Sequence, residues 1–305
     1  QKNSIDAIID DTDENFSSKI KKMNLIGAPY QIIIGKQTDE NLLEFKEIGE
    51  EAQKIDLSEI NTDDLTQILK GHDTVFHTAA KARVQPSIKD PIGFNKQNVD
   101  ATLNLLLASK NANIKRVIYS ASSSAYGNTE VFPTPETQPV NPLSPYGLQK
   151  LIGEQYCKVF SEVYGLDTVS LRYFNVYGKN INFEGAYKLV LAYFIEQTRE
   201  GKPLTIVNTG NQRRDFTFVG DVVEANILAA THSNKLNGEV FNIGNGNNIS
   251  INEIADIFGG EKQYGINAIE PFETLADNTK AKKVLGWIPK GNLVQWLKEY
   301  IKENL

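Results

Sequence analysis

The sequence at residues 117–127 reads VIYSASSSAYG, a β-rich apolar run that ends in a cluster of serines. Such a run predicts a buried strand, and hydroxyls at its carboxyl end lie where open α/β sheets bind ligands. Ser122 is the hydroxyl that we expect to orient a substrate oxygen. The alternative is an ordinary polar exit from a strand, because serine and glycine are common turn residues.

A second motif begins 24 positions after Ser122 and reads Tyr146-Gly147-Leu148-Gln149-Lys150. Pro145 precedes it, as at the opening turn of a helix, and a spacing of four places Tyr146 and Lys150 on one helical face. A nearby ammonium favours the phenolate and lowers the pKa of a tyrosine, which is what a general base toward a hydroxyl requires. A chance surface pair would explain this spacing alone, but it does not explain two motifs in this order.

The remaining sequence alternates strands and helices from about residue 63. Strands are predicted at 74–77, 117–120 and 168–173, and helices near 98–109 and 146–164. This alternation predicts crossover units and a parallel sheet. Shorter mixed elements after residue 178 predict a smaller lobe that faces the substrate. Residues 1–60 differ, with strands predicted at 5–9, 30–34 and around 42–48, an acidic turn at 10–15 and a helix at 17–25.

Composition excludes several classes of protein. Hydrophobic residues make up 40% and charged residues 23%, which is typical of a globular chain. No apolar run approaches the roughly 20 residues that span a bilayer. Cys157 is the one cysteine, so no intrachain disulfide or cysteine-rich metal site is expected, and a reducing cytoplasm is the expected location. The net charge of −6 argues against non-specific nucleic-acid binding.

Ser122, Tyr146 and Lys150 resemble the Ser/Tyr/Lys constellation of extended short-chain dehydrogenases. Residues 64–305 are similar to the NAD-dependent epimerase/dehydratase family, and specifically to UDP-glucose 4-epimerases and their nucleotide-sugar relatives. The segments that carry this resemblance lie at 73–80, 98–99, 143–146, 171–178, 214–216, 241–244 and 283–287. It implies an enzyme that oxidises a sugar hydroxyl with bound NAD, lets the keto intermediate rotate, and reduces it from the other face.

The resemblance also implies roles for individual residues. Tyr146 would be the acid/base, Lys150 its electrostatic partner and ribose anchor, and Ser122 the group that orients the hydroxyl. The other expected contacts are to NAD from Ala79, Ala80, Asn98 and Tyr173, and to the nucleotide sugar from Ser124, Asn175 and Arg214. Ser123-Ser124 stands where dehydratases of this family commonly place Asp-Glu, which favours epimerisation.

A homodimer is implied through the helices near 98–109 and 146–164. Leu103, Leu106 and Leu107 give the first of these an apolar stripe.

Two features near the expected diphosphate site leave alternatives open. Arg214 suits phosphate because a guanidinium meets its oxygens bidentately, but a pair with Asp215 would also explain it. Residues 269–274 contain no arginine, although many relatives carry a second one there. The stretch Gly244-Asn245-Gly246 is either a phosphate-binding loop or, as in the family, a turn of the smaller lobe.

The loop that binds the NAD pyrophosphate in relatives is missing from the sequence. No Gly-x-x-Gly-x-x-Gly occurs in residues 1–70, and the first predicted strand leads instead into Asp10-Asp11-Thr12-Asp13-Glu14. Close backbone approach and free amide donors are what the phosphates need, and carboxylates repel them. Residues 1–60 instead resemble the later half of the anticodon-binding domain of bacterial prolyl-tRNA synthetase, through segments at 10–14, 24–30 and 32–36.

We therefore expect an α/β fold in which a Rossmann-like parallel sheet has its N-terminal half replaced by a foreign α/β segment, with a smaller mixed α/β substrate lobe. The expected domains are 1–60, 61–177 and 178–305, the last with some return to the Rossmann-like sheet, and a gene fusion or chimeric assembly would place the join within 55–64. The main hypothesis is an NAD-dependent nucleotide-sugar epimerase with weak NAD binding. The alternative is an impaired or inactive chain that lacks the pyrophosphate loop and carries an RNA-binding remnant.

Overall fold

The computed structural model describes residues 30–33, 42–47, 53–56, 61–179, 181, 183, 189–266 and 270–305. The chain divides into two compact units, Gln1–Leu65 and Thr66–Leu305. In the first, β1 (Tyr30–Ile33), β2 (Leu42–Glu47) and β3 (Gln53–Asp56) form an antiparallel sheet in that order. The predicted strands at 30–34 and 42–48 correspond to β1 and β2. The predicted strand at 5–9, acidic turn and helix at 17–25 lie outside the described residues.

The elements that follow are a mixture of helices and strands. The helices are α1 (Thr62–Leu69), α2 (Val84–Lys89), α3 (Pro91–Asn95), a π-helix (Lys96–Asp100), α4 (Ala101–Asn111), a 3₁₀ helix (Ser123–Ala125), α5 (Pro145–Tyr164), α6 (Val190–Arg199), α7 (Val219–Thr231), α8 (Ile251–Phe258), α9 (Thr279–Leu285) and α10 (Leu293–Asn304). The strands are β4 (Thr74–His77), β5 (Arg116–Ser122), β6 (Asp167–Tyr173), β7 (Val176–Tyr177), β8 (Leu204–Val207), β9 (Arg213–Asp215), β10 (Thr217–Phe218), β11 (Glu239–Ile243), β12 (Asn248–Ser250) and β13 (Lys262–Ile266).

A four-stranded parallel sheet organises the second unit. Its order is β11-β6-β5-β4, and all three strand pairs run parallel. This confirms the predicted α/β fold, and the predicted strands at 74–77, 117–120 and 168–173 all belong to this sheet. Because β11 lies beyond residue 178, the chain returns to the parallel sheet after entering the region expected to form the substrate lobe.

Both faces of the sheet are covered, which is why β5 is almost continuously apolar. Val117 and Tyr119 pack with residues of α4 and α5 on one face. Ile118, between them in the strand, packs with residues of α7 and α9 on the other. A third core forms beyond the sheet around α6, α8 and α10. There, β8 pairs with β13, β7 with β10 and β9 with β12.

Local capping fixes the long helix α5. The Ser144 side chain accepts a hydrogen bond from the Gly147 N–H at 3.1 Å, Pro145 opens the helix, and Gly165 ends it with a φ of 71°. The predicted helix at 146–164 is thus confirmed. The predicted helix near 98–109 is found as the π-helix followed by α4. Of the predicted apolar stripe on it, Leu106 is only 1% exposed and packs in the core of this unit.

Across the described residues, no helix is long and apolar enough to cross a membrane. The same residues contain no group of His, Cys, Asp and Glu side chains able to hold a metal ion.

Candidate active site

The parallel strands bring the predicted residues to one edge of the sheet. Ser122 ends β5 directly opposite Tyr173, which ends β6, and Ala79 and Ala80 follow the end of β4. Because carboxyl ends of parallel strands share an edge, these residues surround the position where such sheets bind ligands.

The serine cluster forms a tight turn against the start of α5. Ser122 caps the 3₁₀ helix, and its Oγ accepts from the Ser124 N–H at 3.2 Å and from the Ser124 hydroxyl at 2.8 Å. A Cβ on Gly147 would lie 2.8 Å from the Ser124 carbonyl oxygen. Only glycine therefore permits this approach, which places the helix turn carrying Tyr146 beside the serine turn.

Tyr146 and Lys150 lie one turn apart on α5. Tyr146 is half-buried, and its backbone N–H donates to Ser87 Oγ at 3.1 Å. Lys150 is buried; its ammonium donates to the Ser120 carbonyl at 2.8 Å and lies 5.1 Å from the centre of the Tyr119 ring. Burial lowers the pKa of Lys150 to about 8. The ammonium therefore persists at neutral pH, as support of a phenolate requires.

Asn98 lies in the π-helix and binds the loop after β4. Its Oδ1 accepts from the Lys81 N–H at 2.8 Å, and its Nδ2 donates to the Lys81 carbonyl at 2.9 Å. The side chain thus fixes the loop that contains Ala79 and Ala80. Short π-helical segments such as this one occur frequently at functional sites.

Tyr173 is held by the protein itself. Its hydroxyl lies 3.2 Å from Ser120 Oγ and accepts from Asn226 Nδ2 at 2.8 Å. Burial raises the pKa of Tyr173, so the phenol stays neutral. The structure therefore places Tyr173 at the wall of the site, with its polar group already bound.

Asn175, just beyond the end of β6, contacts β9, the strand that contains Arg214. The Asn175 amide donates to the Asp215 carbonyl at 3.1 Å. Arg214 lines a cavity of about 390 Å³ with Phe216 and Asn245. A cavity of this size suits a small ligand.

The alternative pairing of Arg214 with Asp215 is not found. Arg214 Nη2 lies 2.9 Å from Glu270 Oε2, while Nη1 donates to the carbonyls of Arg213 and Phe272 at 2.8 and 3.1 Å. Glu270 belongs to the segment that contains no second arginine. Sequence reasoning missed this contact because the two residues are far apart in the chain.

The Gly244-Asn245-Gly246 stretch is a turn. The backbone N–H groups of Asn245 and Gly246 donate to the buried Asp215 carboxylate at 2.8 and 3.0 Å. Burial raises the pKa of Asp215 to about 6, although three backbone hydrogen bonds oppose that shift. The amides that a phosphate would need are already bound, so the phosphate-loop alternative is wrong.

Helix α5, which carries Tyr146, also contributes Glu154 to a buried ion pair with Arg172 of β6. Arg172 Nε and Nη2 donate to the two carboxylate oxygens of Glu154 at 2.8 and 2.6 Å. The guanidinium also lies 4.6 Å from the centre of the Tyr126 ring. The sequence contained no signal for this pair, because its partners lie on a helix and a strand whose packing is not local.

The described residues fit the nicotinamide half of NAD. Lys150 has three donors and its hydrogen bond within the protein uses one, which leaves donors for a ribose hydroxyl. Asn98 holds the adjoining loop in place. For the pyrophosphate half, residues 1–70 contain no Gly-x-x-Gly-x-x-Gly motif.

Comparison with known proteins gives consistent matches. The sequence profile described as the NAD dependent epimerase/dehydratase family matches residues 24–244. A putative UDP-glucose 4-epimerase of Methanocaldococcus jannaschii is 35% identical over 240 residues, which cover 76% of this chain and 77% of that protein. The family match begins inside the segment for which the sequence indicated an anticodon-binding domain.

Solved structures of 4-epimerases also match the chain. A UDP-N-acetylglucosamine 4-epimerase from Methanobrevibacter ruminantium is 36% identical with a TM-score of 0.73, and the match covers 78% of each chain. A UDP-glucuronic acid 4-epimerase from Bacillus cereus, solved with UDP-glucuronic acid and NAD, is 33% identical with a TM-score of 0.73, covering 79% of each chain.

Proposed function

The chain belongs to the NAD dependent epimerase/dehydratase family, and we propose that within it the chain inverts a hydroxyl-bearing carbon of a nucleotide sugar. The observation that carries this proposal is the approach of Gly147 to the Ser124 carbonyl, which places the Tyr146 turn beside Ser122. The comparisons favour this enzyme interpretation over a non-catalytic chain.

In this proposal Tyr146, Lys150 and Ser122 handle the proton. The Tyr146 phenolate would take the proton from the sugar hydroxyl as a hydride leaves the carbon that bears it. After the keto sugar has rotated to present its other face, Tyr146 would return the proton to the ketone oxygen as the hydride comes back. The Lys150 ammonium stabilises the phenolate, and Ser122 orients the hydroxyl oxygen. Bound NAD supplies the acceptor and donor of the hydride. The groups that would hold its nicotinamide half are Ala79, Ala80, Asn98, Lys150 and Tyr173.

The nucleotide sugar would bind at the far side of the same edge. Arg214 would meet the diphosphate, since a guanidinium and phosphate oxygens form charge-assisted hydrogen bonds. Asn175 and Ser124 would contact the sugar. Ser123-Ser124 in place of an acidic pair supports epimerisation rather than elimination.

A coupled assay on UDP-glucose and UDP-N-acetylglucosamine tests the proposal. Tyr146→Phe should abolish turnover while leaving the fold intact, because the two side chains differ by one hydroxyl. Lys150→Met should give a similarly large loss. Equal turnover in wild type and Tyr146→Phe would disprove the assigned chemistry.

The proposal also includes weak binding of NAD. Charge-assisted hydrogen bonds contribute roughly 1.5–3 kcal/mol each, so losing two or three pyrophosphate contacts weakens binding by on the order of a thousandfold. We therefore infer that NAD binds no tighter than millimolar. Calorimetry showing micromolar affinity would contradict this and require another pyrophosphate site.

A homodimer in the cytoplasm is the expected working form. Leu148, Val159 and Val163 on α5 are 48%, 44% and 66% exposed, and Leu107 on α4 is 37% exposed. Their helical spacing gives an apolar face that a second copy could cover symmetrically. Light scattering should give twice the chain mass, and Val159→Glu should shift it toward the monomer.

For residues 1–60 we keep the hypothesis of a fused segment related to an anticodon-binding domain. If this segment is an independent unit, its deletion should leave the thermal midpoint of the remainder nearly unchanged. A large drop would show that the segment stabilises the enzyme portion.

A further inference from the structure

Gln149 connects the catalytic helix to the loop after β4. It lies between Tyr146 and Lys150 in the chain and is only 4% exposed. Its Oε1 accepts from Asn98 Nδ2 at 3.0 Å, and its Nε2 donates to the Pro91 carbonyl at 3.3 Å. Both ends of this amide therefore have partners outside its own helix.

The orientation of both amides follows from one backbone donor. The Lys81 N–H requires an oxygen, so Asn98 must present Oδ1 to it and Nδ2 to the Lys81 carbonyl and to Gln149. Gln149 must then present Oε1 to Asn98, which leaves Nε2 for Pro91. We call the two hydrogen bonds between the Asn98 side chain and the Lys81 backbone the Asn98 clamp.

The loop that the Asn98 clamp holds contains a strained residue. Arg83, two positions after Lys81, has a φ of 94°, a conformation that residues other than glycine rarely adopt. Such a conformation persists only where the surrounding structure fixes it. The Asn98 clamp is one such restraint, and Thr102 Oγ1 donates to the Asn98 carbonyl at 2.6 Å.

We propose that Gln149 is a positioning residue that fixes the Asn98 clamp, and through it the loop of residues 79–83, to the helix carrying Tyr146 and Lys150. Its link to catalysis rests on the proposed function, in which this loop lines the nicotinamide half of the cofactor site. A single helix then sets the positions of the base, its lysine partner and the cofactor-side loop.

Two substitutions separate this role from simple packing. Gln149→Leu keeps a similar volume but removes both hydrogen bonds. Gln149→Glu keeps an acceptor for Asn98, and only its protonated form can donate to the Pro91 carbonyl. Gln155→Leu, at an exposed position on the same helix, is the matched control.

Hydrogen exchange of the Lys81 amide in NAD-free protein measures the Asn98 clamp directly. Losing one buried hydrogen bond should make Lys81 exchange about fivefold to tenfold less protected in Gln149→Leu, with β5 amides unchanged. Gln149→Glu should keep most of the wild-type Lys81 protection, because its carboxyl oxygen accepts from Asn98 in either protonation state. Gln155→Leu should resemble wild type throughout.

Cofactor binding gives the second readout. The dissociation constant for NAD, measured by ligand-observed NMR, should rise about fivefold to tenfold in Gln149→Leu. Unchanged Lys81 protection in Gln149→Leu, or equal loss of protection in Lys81 and β5, would overturn the proposal. If Gln149→Leu fails to fold, a loss of Lys81 protection of about fivefold to tenfold in Gln149→Glu, which keeps the acceptor, would overturn it. If wild type binds no NAD, the proposed function fails, while Lys81 exchange still decides the role of Gln149.

Discussion

Gly153 lies where helix α5 crosses the ring of Tyr119, and a larger residue there would force the two apart. A Cβ on Gly153 would overlap the Tyr119 hydroxyl oxygen and lie 2.5 Å from Cζ and 3.1 Å from Cε2. Tyr119 is 1% exposed, so the ring has little space into which it could move. Its hydroxyl donates to the Lys150 carbonyl at 3.3 Å, and its ring faces the Lys150 ammonium. A displaced ring therefore disturbs Lys150 as well.

We expect Gly153→Ala to lower the free energy of unfolding by about 1–2 kcal/mol. Overpacking a core costs roughly 1–3 kcal/mol, and the better helix propensity of alanine returns roughly 0.5–1 kcal/mol. In a Tyr119→Leu background the sign should reverse, because leucine has no atoms at the Cζ and Oη positions. There, Gly153→Ala should stabilise the protein by up to about 1 kcal/mol.

Urea unfolding of the four variants, followed by the fluorescence of Trp287 and Trp296, gives the coupling energy of this cycle. An equal loss from Gly153→Ala in both backgrounds would refute the steric argument. The turnover of Gly153→Ala, measured where the protein is folded, should fall as well, since Lys150 moves with the ring.

Three further predictions concern buried charges. Glu154→Leu should lower the free energy of unfolding by about 3–5 kcal/mol, because it leaves the Arg172 guanidinium buried without its carboxylate. Adding Arg172→Met should recover most of that loss, and equal urea midpoints for the single and double variants would contradict this. Burial lowers the pKa of His77 to about 3, so the unfolded chain binds more protons between pH 6.5 and 3 and stability falls as pH falls through that window. His77→Gln should remove roughly 2–3 kcal/mol of the stability difference between pH 7 and 4.5, and an unchanged difference would count against it. Because the pKa of Lys150 is about 8, kcat/KM should decline above pH 8 as the ammonium is lost, and a profile that stays flat to higher pH would disprove that assignment.

The central strands and the long helix could be predicted because their signals are local. The β5 sequence is apolar on both faces, and α5 carries a serine cap, a proline at its start and a glycine at its end. The widened π-helix could not be predicted, since its geometry depends on the packing of Asn98 against a distant loop and helix. The residues that cover Leu106 could not be predicted either, because an apolar stripe does not say which neighbour covers it.

The site shows the same division between local and long-range information. Spacing alone identified Tyr146 and Lys150 as neighbours, and the order of motifs added Ser122. Gln149 carries no local signal, because its partner Asn98 lies 51 positions away. The contact of Arg214 with Glu270 was also invisible, and it replaced the local pairing with Asp215 that the sequence suggested.

In the proposed function Arg214 binds the diphosphate, and we predict that Glu270 weakens this binding. The guanidinium is oriented by the carbonyls of Arg213 and Phe272, so its position does not depend on the carboxylate. Glu270 is partly exposed, and a negative charge near a bound diphosphate opposes binding by about 1 kcal/mol in a well-hydrated setting. Glu270→Gln should therefore bind UDP about fivefold more tightly.

Calorimetry with UDP at low and high salt measures this effect, and the gain should shrink as salt screens the charge. Glu273→Gln is the matched control, because that carboxylate accepts from Asn248 at 2.7 Å and has no contact with Arg214 among the hydrogen bonds and ion pairs of the described residues. Weaker UDP binding in Glu270→Gln would show instead that the carboxylate orients the guanidinium. In that case the ion pair would be part of the binding site, and the two carbonyls would be insufficient to hold Arg214.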